Sequence, residues 1–295
     1  MSFAVETTKL TKRYGSTPAV DQLSITVREG EVYGFLGPNG AGKTTTLRML
    51  LGLIRPTSGS LTLFGERPRG LARVGALIEG PTFYPYLSGR TNLRVLADHA
   101  GVSRRRVDEV LELVDLTDRA AEVFRTYSLG MKQRLGLAAV LLKDPDLLIL
   151  DEPTNGLDPA GMADMRQTIR RLAEDGRTVL LSSHLLAEVE QICDRVGVLH
   201  KGKLLIETTV AELTSGGGSL RVTATPADTA YTVLTAVVGA DHVHADNEVF
   251  ELDVPATEAA RINAELVAAG VSVSELRWLQ PALEDMFLQL TGVES

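Results

Sequence analysis

The stretch Gly37-Pro38-Asn39-Gly40-Ala41-Gly42-Lys43-Thr44, followed by Thr45, has the spacing G-x-x-x-x-G-K-[ST]. Its glycines let backbone N–H groups close around phosphate oxygens, and the amino end of a following helix adds positive potential. Lys43 can then reach the β and γ oxygens, while Thr44 offers a hydroxyl to Mg2+. A phosphate cradle that hydrolyses its ligand also needs a metal-linked carboxylate and a base. Asp151 and Glu152, directly after the apolar run Leu147 to Leu150, supply the two. Asp151 is expected near the metal, and Glu152 is expected to orient and polarise the attacking water. Adjacent side chains at a strand end point in different directions, so the two carboxylates need not share a role.

These residues need elements to hold them. Over the first 210 residues short β-type runs alternate with longer amphipathic stretches, the pattern of an α/β architecture with a parallel sheet. Glu31 to Leu36 reads as a strand that stops at the glycine-rich turn, and Lys43 to Leu51 as the helix after it. Leu147 to Leu150 is a buried central strand whose carboxylates emerge at its carboxyl end. Asp158 and Pro159 read as the N-cap and first residue of a helix closed by Gly176, and Thr178 to Leu181 as another buried strand. Ser103 caps a helix from Arg104 to Val114 with Val107, Val110, Leu111 and Val114 on one face, and Arg104-Arg105-Arg106 reads as a solvated face.

Charge and composition divide the chain. Its 295 residues carry a formal charge of −8, yet residues 215–295 hold only Arg221, Arg261 and Arg277 against twelve acids, leaving the first 214 at +1. The change falls at Ser215-Gly216-Gly217-Gly218-Ser219, which reads as a linker. The expected domains are therefore 1–214, a linker at 215–219, and an acidic α+β domain over 220–295. The last has the order strand 220–225, helix 226–238, strands near 242–245 and 248–253, helix 256–269 and strand 271–278. That βαββαβ order is ferredoxin-like, with a final helix from Pro281 to Leu290. An acidic chain is a poor binder of nucleic acid, and no apolar run approaches the length of a membrane span. The single Cys193 reads as a buried hydrophobe, and His242 and His244 lack a third metal ligand at useful spacing.

Between the two phosphate-site motifs stands Tyr127-Ser128-Leu129-Gly130-Met131-Lys132-Gln133-Arg134, and after them come Asn155-Gly156-Leu157-Asp158 and Ser182-Ser183-His184. With these, residues 3 to about 210 resemble the nucleotide-binding domain of an ATP-binding cassette (ABC) protein. The resemblance implies a RecA-like core with a helical subdomain and an antiparallel β subdomain. It implies ATP and Mg2+ as cofactors and ATP hydrolysis as the activity. It places Tyr14 on the adenine, Ser128 and Gly130 against the γ-phosphate of a second nucleotide, Asp158 in a loop between subunits, and His184 on the γ-phosphate. Lys43, Glu152 and His184 are then the catalytic set, and Thr44, Asp151 and the residue at Glu79 the metal set.

Two departures, Met131 in the signature and Glu79 where a glutamine is usual, are similar to those of single-cassette ATPases serving drug and bacitracin-type antibiotic exporters. The ending Leu279 to Leu290 is similar too. That resemblance implies a head-to-tail homodimer at the inner, cytoplasmic face of the membrane, energising a separately encoded permease. A soluble ABC ATPase of translation or DNA repair is the alternative, although such chains usually carry two cassettes, coiled-coil insertions or basic segments. The acidic domain has no phosphate-binding or nucleophile signal. Deleting residues 215–295 is therefore expected to leave ATP affinity within about twofold of the full chain, measured by fluorescent-nucleotide titration, while weakening dimerisation or coupling. Loss of ATP binding by a folded truncation would contradict this.

Overall fold

Strands with apolar side chains on both faces need cover on both sides, and only the middle of a parallel sheet under helices provides it. The computed structural model describes residues 2–66, 69–78, 80, 82–215 and 219–279. They divide into two compact units, Met1–Val210 and Ala211–Ser295. In chain order the first carries β1 (Phe3–Tyr14), β2 (Thr17–Leu23), β3 (Thr26–Arg28), β4 (Val32–Leu36), α1 (Lys43–Leu50), β5 (Ser58–Leu63), β6 (Val74–Leu77), α2 (Gly89–Ala100) and α3 (Arg104–Leu113). It continues with α4 (Leu129–Leu141), β7 (Leu147–Asp151), α5 (Pro159–Glu174), β8 (Thr178–Ser183), α6 (Leu186–Ile192), β9 (Arg195–His200) and β10 (Lys203–Thr209). A short helix, α7 (Val210–Ser215), spans the division. The second unit then has β11 (Ser219–Thr225), α8 (Ala227–Val238), β12 (Val243–Asp246), β13 (Val249–Leu252), α9 (Ala259–Ala268) and β14 (Ser272–Leu279).

The central sheet has the order β10-β9-β4-β8-β7-β6, parallel throughout except for β10 at one edge. Every residue of β4 and β8 is buried, as the unbroken apolar runs require. Register brings the strand ends to one level. Leu36 of β4 pairs with Ser183 of β8, and Asp151 of β7 with Ser182, so three strands end side by side where ligands of open α/β sheets bind. A second, antiparallel sheet pairs the long β1 with β2, β3 and β5, and its interior residues Val5, Leu10, Val20, Leu23 and Ile25 join Tyr33, Phe35 and Leu47 in one core.

The helices start where the sequence supplies caps. Ser103 accepts from the Arg105 N–H, a cap worth about 1 kcal/mol that offsets cations at the positive end of a helix dipole. Arg104 and Arg105 are exposed and pair with Asp98 and Glu109. Arg106 departs from the solvated reading: its guanidinium reaches the Leu141 carbonyl at 3.2 Å and Asp144 at 2.8 Å, tying α3 to the end of α4. Hydrogen bonding from Arg177, with Arg106 beside it, holds the Asp144 carboxyl below its usual range.

In the second unit the antiparallel order β12-β13-β11-β14, crossed by α8 and α9, is the split βαβ arrangement. Alternation in β11 turns Leu220, Val222 and Ala224 inward onto Phe250, Leu252, Leu234, Ile262 and Leu266. His242 lies outside β12, although the sequence predicts a strand near 242–245. It closes a 3-10 turn, Ala240–His242, ahead of β12, while His244 pairs with Asp253 at 3.0 Å. Gly216–Gly218 of the linker, Glu79, and the segment read as a helix from Pro281 to Leu290 lie outside the described residues.

Cys193 follows α6 and is buried, and burial pushes its thiol well above the ordinary range, with the Asp194 charge adding to the shift. A thiol that stays protonated is a poor nucleophile. The native chain is therefore expected to release almost no chromophore with a disulfide thiol reagent at pH 8, and about one equivalent once unfolded in guanidinium. Rapid reaction of the native protein would contradict the burial.

Candidate active site

The strand-to-helix turn after β4 wraps the amino end of α1. Gly42 has φ 105°, and a Cβ there would lie 2.6 Å from the Ala19 carbonyl; at Gly37 a Cβ would lie 2.4 Å from the Leu199 carbonyl. Both positions exclude a side chain, which is why the motif spends glycines on them. Lys43, the first residue of α1, is 5% exposed. Its Nζ donates to the carbonyl of Gly37 at 2.5 Å and of Pro38 at 3.4 Å, and it stands 3.2 Å from Glu152 Oε1. A cleft of about 150 Å3 is lined by Ala19, Glu152 and the run Pro38 to Thr45, with α1 pointing its amino end into it.

Beside this cleft the carboxylates diverge. Asp151 Oδ2 accepts from Thr44 Oγ1 at 2.8 Å, while Oδ1 accepts from Ser182 Oγ at 2.5 Å. Glu152 turns the other way because its backbone is left-handed, φ 48°. Its Oε1 meets Lys43, and its Oε2 lies 2.7 Å from Nδ1 of His184 in the turn after β8. Lys43, Thr44, Asp151, Glu152 and His184 therefore converge. Thr44 and Asp151 present hard oxygen donors at the mouth of the phosphate loop, the donor chemistry Mg2+ prefers. Among the described residues no group of three or more His, Cys, Asp and Glu side chains is placed to hold a metal alone. The donor set thus suits an ion that draws its remaining oxygens from nucleotide and water.

Other predicted residues stand apart from the cleft. Ser128 caps α4 by accepting from the Met131 N–H, and Asp158 caps α5 by accepting from Gly161. These two segments pack together, since a Cβ at Gly156 would meet Leu129 at 3.1 Å and one at Gly130 would meet Leu157 at 3.9 Å. None of Ser128, Gly130 and Asp158 lines the cleft. Tyr14, at the end of β1, is 56% exposed with Lys12 Nζ 5.2 Å from its ring centre, and it does not line the cleft either.

Two hydroxyls and one carboxylate at the site are given no role by the sequence, although Ser182 and Ser183 stand in the motif with His184. Ser182 bonds Asp151 and the Glu152 N–H. Ser183 donates to Glu188 Oε2 at 2.7 Å and accepts from the Leu185 N–H, fixing the turn that carries His184. Glu188 is only 3% exposed and shares the buried face of the short helix α6 with Val189 and Ile192. Only the adjacency of Ser182 and Ser183 to His184 hinted at them in the sequence.

Comparison with known proteins adds a family to this geometry. Residues 20–155 match the family described as ABC transporter. The chain is 43% identical to the bacitracin transport ATP-binding protein BcrA of Bacillus licheniformis, with 99% of this chain and 98% of that one aligned. It is 35% identical to the linearmycin resistance ATP-binding protein LnrL of Bacillus subtilis, over 95% and 96%, and 41% identical to the lantibiotic transport ATP-binding protein SrtF of Streptococcus pyogenes, over 67% and 87%. Among solved structures it is similar to an ATP-binding subunit of an ABC transporter, with TM-score 0.63, 29% identity, and 71% of this chain and 91% of that one covered.

Proposed function

We propose, from the premise that this chain belongs to the ABC transporter family of ATP-binding proteins, that it is the ATPase subunit of an antibiotic exporter whose permease is a separate chain. The observation that carries the reading is a glycine-rich cleft lined by Lys43, Thr44 and Glu152, with Asp151 bonded to Thr44 and His184 bonded to Glu152 beside it. The names of the relatives, which concern bacitracin, lantibiotic and linearmycin, support the cargo class. A separate permease is supported by the finding that no helix among the described residues is long and apolar enough to cross a membrane. The exposed Tyr84 and Tyr86, with rings 6.1 Å apart, and the exposed Leu53 offer apolar surface for such a partner. The subunit then works at the cytoplasmic face, held to the membrane through the permease.

In this reading the loop from Gly37 to Thr45 binds the ATP phosphates through its N–H groups, and Lys43 exchanges its carbonyl partners and Glu152 for phosphate oxygens. Tyr14 stacks on the adenine. Thr44 and Asp151 would hold Mg2+, which would neutralise phosphate charge. Glu152 orients a water for in-line attack on the γ-phosphorus and takes its proton; the bond to the β–γ bridging oxygen breaks, giving ADP and phosphate. His184, bonded to Glu152, would donate to the γ-phosphate.

One chain carries one cleft and one signature, held apart. Two copies arranged head to tail bring Ser128, Gly130 and Asp158 of each against the nucleotide of the other, making ATP part of the interface. Hydrolysis loosens that interface and returns the permease to its other state. The 215–219 linker and the acidic domain after it support the dimer or its coupling.

Glu152→Gln keeps the size of the side chain and one acceptor oxygen for Lys43 but removes the base. It is expected to lower ATP turnover by about a hundredfold or more and to trap an ATP-bound dimer on gel filtration. In cells it should abolish the antibiotic tolerance that the wild-type chain confers with its permease. Hydrolysis at the wild-type rate would exclude Glu152 as the base, and unchanged tolerance would exclude the exporter reading.

A further inference from the structure

We infer that Ser182 is the positioning residue that sets both catalytic carboxylates, an inference that rests on the ATPase reading and deepens it. The side chain of Ser182 is completely buried at the end of β8, directly level with Asp151 of β7. The preceding residues of the strand, Val179, Leu180 and Leu181, are apolar and equally buried, so a hydroxyl at this depth has to find partners within the protein. It finds two. Its O–H donates to Asp151 Oδ1 at 2.5 Å, and its oxygen accepts from the Glu152 N–H at 3.0 Å. The same N–H lies 3.2 Å from the Ser182 carbonyl. A serine hydroxyl has one donor, and here the donor and a lone pair are committed to two consecutive residues with different duties.

Each bond has a separate consequence. Asp151 is gripped at both oxygens, by Thr44 at Oδ2 and by Ser182 at Oδ1. Thr44 is itself part of the metal set, so Ser182 is the partner that remains fixed to the carboxylate when the Thr44 hydroxyl takes another. The second bond acts on the backbone. Glu152 sits at φ 48°, a region that side chains other than glycine seldom occupy, and it is this turn that sends its carboxylate to Lys43 and His184 instead of along the strand beside Asp151. By holding the Glu152 N–H, Ser182 holds the turn. One hydroxyl therefore separates the metal carboxylate from the base. Ser183, whose side chain points to the opposite face of β8 onto Glu188, makes neither contact.

The test compares the full-length wild type with Ser182→Ala and Ser182→Thr, using a fluorescent ATP analogue in EDTA and in Mg2+, together with steady-state ATPase kinetics and melting temperatures. The loop and Lys43 are untouched, so Ser182→Ala should bind the analogue in EDTA within about twofold of wild type, while the gain in affinity on adding Mg2+ falls about fivefold or more. Its kcat should fall about tenfold or more with KM changed less than about threefold, because the base is misdirected while ATP still binds. Ser182→Thr retains the hydroxyl and should recover both the Mg2+ gain and kcat; if its extra methyl prevents folding, the alanine variant alone decides.

A folded Ser182→Ala protein with the wild-type Mg2+ gain and kcat would overturn the inference. So would equal losses with and without Mg2+, which mark a merely structural role, or a folded threonine variant no better than alanine. A wild type that neither binds nor hydrolyses ATP would instead remove the ATPase reading beneath it, an outcome distinct from all of these.

Discussion

The buried ammonium of Lys43 is the interaction on which the rest of the site depends. At 5% exposure it has lost most of its hydration, which costs several kcal/mol unless acceptors replace the water. Two loop carbonyls and Glu152 do so. The first two can only face Nζ if the chain closes tightly around it, which requires glycine at positions 37 and 42. Glu152 can only reach it if the backbone after β7 turns into the left-handed region. The strands β4, β7 and β8 must in turn end at one level, and the fully buried parallel register provides that. A nucleotide phosphate carries the same kind of oxygen acceptors, so under the proposed function phosphate oxygens would take the place of these partners beside Lys43.

Much of this was legible in the sequence because it is local. The glycine spacing specifies a loop without reference to the rest of the chain, and an apolar run ended by Asp151-Glu152 specifies a buried strand with carboxylates at its tip. The second unit was legible for the same reason: the alternation of Leu220, Val222 and Ala224 marks an inward strand face wherever it is placed. Hidden features depend on register between distant strands. Ser182 falls just past the strand read as Thr178 to Leu181, and its partner is visible only when β8 is laid against β7 and its hydroxyl falls on Asp151. Nothing in the sequence assigns Glu188 a role, and α6 turns it inward onto Ser183. Arg106 reads as one of three exposed cations, but its helix turns it onto the end of α4. In each case side-chain type was visible and its partner was not.

The separation of the two halves of the catalytic apparatus follows from the same physics. Ser128 and Asp158 spend their side-chain oxygens on capping α4 and α5, and leucines hold those two starts together. That leaves the amino end of α4 presenting backbone N–H groups outward, at a distance from its own chain's phosphate loop. A helix amino end of this kind suits an anion, and in the proposed head-to-tail dimer a second copy of the chain with ATP in its cleft would bring one. Under the proposed function, ATP-driven motion would be a property of two chains, with the permease responding to their closing.

The most direct measurement of that claim mixes two inactive chains. Lys43→Ala retains the signature and lacks the phosphate grip, whereas Ser128→Arg retains the phosphate loop and blocks the signature. If sites are shared between subunits, random mixing makes half of the dimers mixed, each with one fully wild-type site, so the equimolar mixture should recover about a quarter of the wild-type ATPase rate from two nearly inactive proteins. A mixture no more active than the sum of its two components would contradict the shared site.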